Sequence, residues 1–195
     1  MSSSQNSSRN NVPLAIYSDN RTVFRLRDVA LLVGESDFQS INKKLNYYVR
    51  TGKLHHPRKG IYTKKEFDPE ELACKIYIPS YISCEYVLQK SGIVFQYDPT
   101  ITVVSYLSRS IEVSEQAYRF RKIKDEILVN TAGIIRKDNH VNIASPERAF
   151  LDVMYLHSDY FFDNLNPLNK QTIIRLAPIY QSDRLIERVK SLMQS

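Results

Sequence analysis

The order of apolar and polar positions near the start of the chain changes period several times within a short stretch. Thr22-Val23-Phe24-Arg25-Leu26 alternates, as a short strand or the lead-in to a helix does. Arg27 to Val33 then reads as a helix of one to two turns, closed by Gly34, which takes the left-handed conformation at little cost. Ser36-Asp37-Phe38-Gln39 has the spacing of a capping box, in which the Ser36 hydroxyl and the Gln39 side chain serve the open amides of a second helix. That helix runs to about Thr51 and stops at Gly52. At 100° per residue, Phe38, Ile41, Leu45, Tyr48 and Val49 share a sector about 100° wide, the stripe a core requires. Lys53 to Thr63 follows as strand, basic turn and strand. Helix, tight turn, longer helix and hairpin in this order predict a winged helix-turn-helix over residues 13–66.

The polar face of the long helix carries Gln39, Ser40, Lys43, Asn46, Tyr47 and Arg50, with Lys44 beside them. Lysine and arginine reach guanine or phosphate, and Asn and Gln pair with adenine, so this face suits a DNA groove. A solvated amphipathic helix would look the same. The hairpin tilts the balance, because Lys53, His55, His56, Arg58, Lys59, Lys64 and Lys65 gather around one turn, where a wing meets phosphates. Charge agrees with this division. Between Pro13 and Lys65 there are eleven Lys/Arg and four Asp/Glu, whereas the whole chain carries only +6 and the stretch after Lys65 is slightly acidic. The expected DNA contacts are therefore Gln39, Ser40, Lys43, Lys44, Asn46, Tyr47, Arg50, Lys53, His55, Arg58, Lys59 and Lys64. Gln39 carries the least weight, since a capping box would already employ it.

Residues 1–12, rich in Ser and Asn and without an apolar run, read as a disordered tail and not as an export signal. No apolar run approaches the roughly 20 residues of a membrane helix, so a soluble, cytoplasmic protein is expected. Residues 67–195 read as a second, mixed α/β domain, and the whole as α/β (α+β). Its expected helices are Glu70 to Tyr77, one from Ser83 to Gly92, Ser145 to His157, Lys170 to Tyr180 and Ser182 to Met193. Its expected strands are Ile101 to Leu107, Gln116 to Ile123, Glu126 to Val129 and Val141 to Ala144.

Catalytic constellations are missing from this half. There is no glycine-rich phosphate loop, no Gly-x-Ser-x-Gly turn and no His pair on a helix, so neither an enzyme nor a cofactor is expected. Glu147 and Asp152 lie about 140° apart on one helix and do not converge, which assigns Glu147 to the helix start and Asp152 to an internal hydrogen bond. Cys74 and Cys84 stand ten apart with no further cysteine, a spacing for packing thiols and not for a zinc site or a disulfide framework. His55 and His56, neighbours on a strand, point to opposite faces and make no metal pair. The arginines of Tyr118-Arg119-Phe120-Arg121 form either a contact surface or a solvated strand face.

The ordered set of Phe24-Arg25-Leu26-Arg27-Asp28-Val29-Ala30, Arg50-Thr51-Gly52-Lys53-Leu54 and Arg58-Lys59-Gly60-Ile61-Tyr62 resembles the N-terminal winged helix of AbiEi-type antitoxins, from bacterial type IV toxin-antitoxin systems. Pro69 with Leu72-Ala73, Tyr81-Ile82-Ser83-Cys84-Glu85, Gly92-Ile93, Tyr118-Arg119-Phe120 and Ala144-Ser145-Pro146-Glu147-Arg148-Ala149-Phe150-Leu151-Asp152 look like its second-domain landmarks. The likeness covers about residues 20–157, and Val87 departs from it where the family tends to have alanine. The resemblance implies an autorepressor that binds inverted repeats in double-stranded DNA and counteracts a nucleotidyltransferase-like toxin without necessarily touching it. The alternative is an orphan winged-helix regulator, or a protein-interaction module, with no toxin.

Overall fold

The computed structural model describes residues 11–194. The described residues form a mixed α/β fold, 43% helix and 20% strand, as the sequence leads one to expect. It divides into two units: residues 11–76 with Asp138–His140, and residues 77–137 with 141–194. No helix of the described residues is long and apolar enough to cross a membrane.

Unit 1 begins inside the stretch expected to be a tail, the rest of which lies outside the described residues. Helix α1 (Val12–Ser18) starts at a buried valine, and the Asn11 side chain caps it by accepting the Leu14 amide. Strand β1 (Val23–Arg25), helix α2 (Leu26–Val33) and helix α3 (Phe38–Arg50) follow. Gly34 closes α2 at φ +66. The cap of α3 is Asp37 rather than Ser36: Asp37 Oδ1 accepts the Gln39 and Ser40 amides at 2.9 and 3.2 Å. A charged acceptor at the positive helix end outcompetes a neutral hydroxyl one residue earlier. The Gln39 side chain is thereby released from capping.

Strands β2 (His55–Arg58) and β3 (Ile61–Thr63) make the expected hairpin, turning at Lys59-Gly60 with Gly60 at φ +76. The sheet order is β1-β3-β2, antiparallel throughout, with Phe24 opposite Tyr62. Val12, Ile16, Phe24, Val29, Val33, Ile41, Leu45, Leu54 and Tyr62 form one core. Each fully buried aliphatic of this set stabilises the fold by about 1.5–3 kcal/mol.

The expected domain boundary after residue 66 moves to 76, because helix α4 (Pro69–Ile76) belongs to unit 1. The reason is electrostatic. Strand β1 is a sheet edge, and Glu71, buried on α4, accepts the Thr22 and Val23 amides at 2.7 and 2.9 Å. Lys75 of the same helix pairs with Asp28 at 2.8 Å. Asn139 donates to Asp68 and Glu71 at 2.9 and 3.1 Å, which places the Asp138–His140 loop in this unit.

Unit 2 is a six-stranded mixed sheet in the order β6-β7-β5-β4-β9-β8, formed by β4 (Ser80–Ile82), β5 (Ile101–Ser105), β6 (Arg109–Val113), β7 (Gln116–Lys122), β8 (Ile134–Arg136) and β9 (Asn142–Ala144). Pairs β5–β7 and β4–β9 are parallel, the others antiparallel. Its helices are α5 (Glu85–Lys90), α6 (Asp125–Leu128), α7 (Pro146–Leu156), α8 (Lys170–Leu176), continued as a 3₁₀ turn to Tyr180, and α9 (Asp183–Gln194). Two expectations are corrected. The helix placed from Ser83 starts at Glu85, preceded by strand β4. Glu126 to Val129, expected as a strand, is the end of α6 with its C-cap Val129: adjacent Ile127 and Leu128 are both buried and Val129 is 66% exposed, a burial order that alternation forbids.

Candidate nucleic-acid interface

Helix α3 turns Ile41 and Leu45 fully inward, with Tyr48 and Val49 half-buried against the same core. Phe38, expected in that stripe, is 45% exposed, because it occupies the first helical position and leans out beyond the core's edge. Gln39, Lys43, Asn46 and Arg50 are all exposed on the opposite side. Their spacing of four, three and four residues places them within about 60° of helix surface, in a stripe roughly 16 Å long. Ser40 is half-buried beside the stripe. Tyr47, half-exposed, lies under the Arg50 guanidinium at 5.7 Å and meets Tyr48 edge-on at 5.4 Å, so the arginine is steered by an aromatic face.

The remaining expected contacts are not equivalent. Lys44 is half-buried and pairs with Glu35 at 3.8 Å. Lys53 is exposed, with its ammonium 5.8 Å from the Tyr48 ring, while its carbonyl accepts the Tyr17 hydroxyl at 2.7 Å. His55 and Lys59 are exposed on the hairpin, and Arg58 is half-buried and engaged with its neighbours. Lys64 is half-buried and donates to the Asp19 carbonyl at 2.6 Å, which occupies its ammonium within the fold. Lys43, Arg50, Lys53 and Lys59 are thus the exposed cations of the expected set. Asp19 is itself fixed by a two-pronged contact with Arg21 at 2.7 and 2.8 Å, and that guanidinium holds its carboxyl below the usual range.

One pair of residues on this surface has no signal in the sequence. Tyr62 of β3, only 3% exposed, donates its hydroxyl to Asn42 Oδ1 at 2.9 Å and so ties the hairpin to α3. His56 stacks on the Tyr62 ring with centroids 4.8 Å apart and planes at 17°, and accepts the Gly60 amide at 3.2 Å. Burial raises the Tyr62 phenol. Only strand register brings these residues together, and periodicity does not reveal register.

In unit 2 the polar landmarks converge on one core network. Asp152, fully buried, accepts hydroxyls from Ser83 at 2.6 Å, Tyr180 at 2.6 Å and Tyr81 at 3.1 Å. Arg148, equally buried, lies 3.5 Å from the same carboxylate and donates to Tyr81 Oη and to the Ile127 and Ala132 carbonyls. Burial pushes the Asp152 carboxyl up, against the pull of Arg148 and the three hydroxyls. Glu147 instead accepts the Ser145 hydroxyl at the start of α7, in the role its position predicts. Arg119 and Arg121 of β7 are paired with Asp98 at 3.4 Å and Glu85 at 3.8 Å. Cys74 and Cys84 are buried thiols, and burial raises Cys84 well above its ordinary range. Among the described residues no three His, Cys, Asp or Glu side chains gather as a metal site would need.

No family model matches the chain. No curated protein matches it either. Among solved structures, the crystal structure of the RV2827C protein from Mycobacterium tuberculosis is similar, with a TM-score of 0.50 and 15% identity over 96% of this chain and 76% of that one. At that identity the likeness is one of fold.

Proposed function

We propose that this chain is a DNA-binding transcriptional regulator whose unit 1 is a winged helix-turn-helix, with α3 as the recognition helix and the β2–β3 hairpin as the wing. The carrying observation is the exposed stripe of Gln39, Lys43, Asn46 and Arg50 on a helix whose other face is locked into the core. Two donors from long cations and two amides along one line match the mixture of acceptors and donors on a major-groove floor. Lys53 and Lys59 flank the stripe and supply backbone attraction.

On the resemblance to AbiEi-type antitoxins, we further propose that it represses its own operon in the cytoplasm and counteracts a nucleotidyltransferase-like toxin. Tyr81, Ser83, Arg148 and Asp152, which carry much of that resemblance, are buried together. What they support is a shared core; the antitoxic activity rests on the likeness alone.

The test is a titration of operator-proximal duplex DNA at several salt concentrations. Binding should weaken steeply with salt, and the Lys43→Ala/Arg50→Ala variant should bind at least about tenfold more weakly. Equal binding by the variant removes the groove assignment. Co-expression with a nucleotidyltransferase-like toxin, from a reading frame immediately downstream where one is found, scored by growth, tests the antitoxin reading separately. A protein-interaction module is the second reading, favoured by Phe95, Tyr97 and Phe161, three strongly exposed aromatics of unit 2. Capture of a protein partner lost in a Phe95→Ser/Phe161→Ser variant, without DNA affinity at low salt, would favour it.

A further inference from the structure

The first residue of α3 lines a cleft of about 380 Å³ together with Arg25, Leu26, Arg27 and Gly60. Sheet register brings these residues together. Arg25 stands opposite Ile61, so the start of α2 lies beside the hairpin turn, and the Tyr62–Asn42 hydrogen bond draws the hairpin toward the first turns of α3. The wall is largely apolar: Leu26 is half-buried and Phe38 half-exposed, whereas Ile41 and Leu45, one and two turns on, are fully buried. Arg27 is exposed, and among the described residues its guanidinium has no hydrogen-bond, ion-pair or ring partner. The same holds for Lys59, next to Gly60 in the turn. The Arg25 guanidinium is engaged, donating to the Lys75 and Ile76 carbonyls. No carboxylate lines the cleft; Asp28 and Asp37, the nearest in sequence, are taken by Lys75 and by the Gln39 and Ser40 amides.

An occupant of this cleft needs an anion for Arg27 and Lys59 and an apolar surface for Phe38. The backbone of DNA offers both within one nucleotide: phosphate oxygens for the cations and the C–H face of the deoxyribose for the ring. A base edge offers only an apolar group, the thymine methyl, and no anion. Position agrees with this choice. When the second helix of a helix-turn-helix enters a groove, the first crosses the neighbouring backbone, and the cleft joins Arg27 on the first to Phe38 on the second. Phe38 directly precedes Gln39, where the exposed stripe begins, and is turned about 100° from it toward the hairpin.

We propose that the cleft between the starts of α2 and α3 and the hairpin turn is a backbone subsite of the DNA interface, in which Arg27 and Lys59 hold a phosphate and the Phe38 ring packs on the adjoining deoxyribose. This rests on the DNA-binding reading above and adds Arg27 and Phe38 to its contacts. The subsite supplies affinity and no sequence preference. Selection of the full-length protein on a randomised duplex pool, followed by titration of the recovered duplex over a salt series, tests it. Arg27→Ala should lower the logarithmic salt slope by about 0.9, so that its deficit shrinks roughly eightfold between 0.1 and 1 M salt. Arg27→Lys should keep the slope, because a phosphate accepts either cation. Phe38→Ala should weaken binding about fivefold with the slope and the selected sequence unchanged. Neutralising one phosphate at a time as a methylphosphonate should reveal a position that weakens wild type but not Arg27→Ala. Because Arg27 is exposed and touches nothing that holds the fold, this last measurement decides the matter even if Phe38→Ala loses stability in a thermal melt.

The proposal is overturned if Arg27→Ala keeps the wild-type affinity and slope, or if no phosphate is found whose effect depends on Arg27. It is also overturned if folded Phe38→Ala binds as wild type does, or if either variant alters the selected sequence, since a base would then occupy the cleft. Loss of binding in Lys43→Ala/Arg50→Ala with Arg27→Ala unaffected removes the subsite and leaves the DNA-binding reading standing. Wild-type protein that selects no duplex at low salt overturns both together.

Discussion

Replacing Asp152 by alanine removes the acceptor on which the unit 2 core network closes. Three hydroxyls lose this acceptor, Ser83, Tyr180 and Tyr81 at 2.6, 2.6 and 3.1 Å, and of them Tyr180 keeps the Arg148 carbonyl at 3.3 Å. Arg148, fully buried, loses the carboxylate 3.5 Å from its Nε while keeping the Ile127 and Ala132 carbonyls. Breaking a buried pair from one side costs about 3–5 kcal/mol, because the remaining charge stays in the interior. Each stranded hydroxyl adds roughly 1 kcal/mol where it finds no new acceptor. A total of about 5–7 kcal/mol would lower Tm by roughly 10–28 °C for a chain of this size. The Arg148→Met/Asp152→Leu pair should lose less than the sum of the two single variants, since it removes both charges and fills the space with apolar atoms. Recovery will be partial, because the Ile127 and Ala132 carbonyls lose their donor. Circular-dichroism melts and urea titrations of wild type, Asp152→Ala, Arg148→Met, Asp152→Leu and the double variant measure both effects. If Asp152→Ala unfolds within about 1 kcal/mol of wild type, or the double variant shows the full sum, the network is not the keystone its burial implies.

Four smaller tests address other elements. Removing the α3 cap with Asp37→Ala should cost about 1 kcal/mol and lower Tm by a few degrees in a melt. Arg21 holds the Asp19 carboxyl low, so its contribution is present above the usual carboxylate range and is lost as pH falls through the folded value. Melts of wild type and Asp19→Asn should therefore differ at neutral pH and converge on acidification. Gly133→Ala should destabilise by about 1–3 kcal/mol, since Gly133 has φ +76 and a Cβ there would stand 3.0 Å from Arg148 Cβ and Leu176 Cδ1. In DNA titrations Lys43→Ala should reduce the logarithmic salt slope by about 0.9 where Lys43 meets a phosphate. Lys44→Ala should reduce it less, because Glu35 already holds that ammonium.

Much of unit 1 was legible because its boundaries are written in glycine and periodicity. Gly34 and Gly60 both have the positive φ that the turns demand, and Ile41 and Leu45 declare the inner face of α3 by their spacing. What escaped was decided by tertiary partners. Pro69–Ile76 looks like the start of the second domain until Glu71 is seen to cap the β1 edge. In unit 2 the β6–β7 hairpin turns at Ser114-Glu115, both at positive φ, where glycine or asparagine would have announced it. Strand β8 went unrecognised because an exposed three-residue edge has almost no alternation to detect. Arg148 looks like a surface residue of a helix start, and nothing in composition foretells that its guanidinium is wholly buried. The stripe on α3 was readable from spacing alone. The restraint of Lys44 and Lys64, and the clamp on Asn42, were not, since each depends on a residue brought near by folding.

The membership of Asp138–His140 in unit 1 bears on how the protein is made. A chain leaving the ribosome presents α1 through α4 early, yet the Asn139 amide that bridges Asp68 and Glu71 emerges only after most of unit 2 has been synthesised. Until then two neighbouring carboxylates at the foot of α4 lack their shared donor. Unit 1 is thus finished late, and a nascent or prematurely terminated chain ending before residue 139 carries α3 without the last clasp on α4.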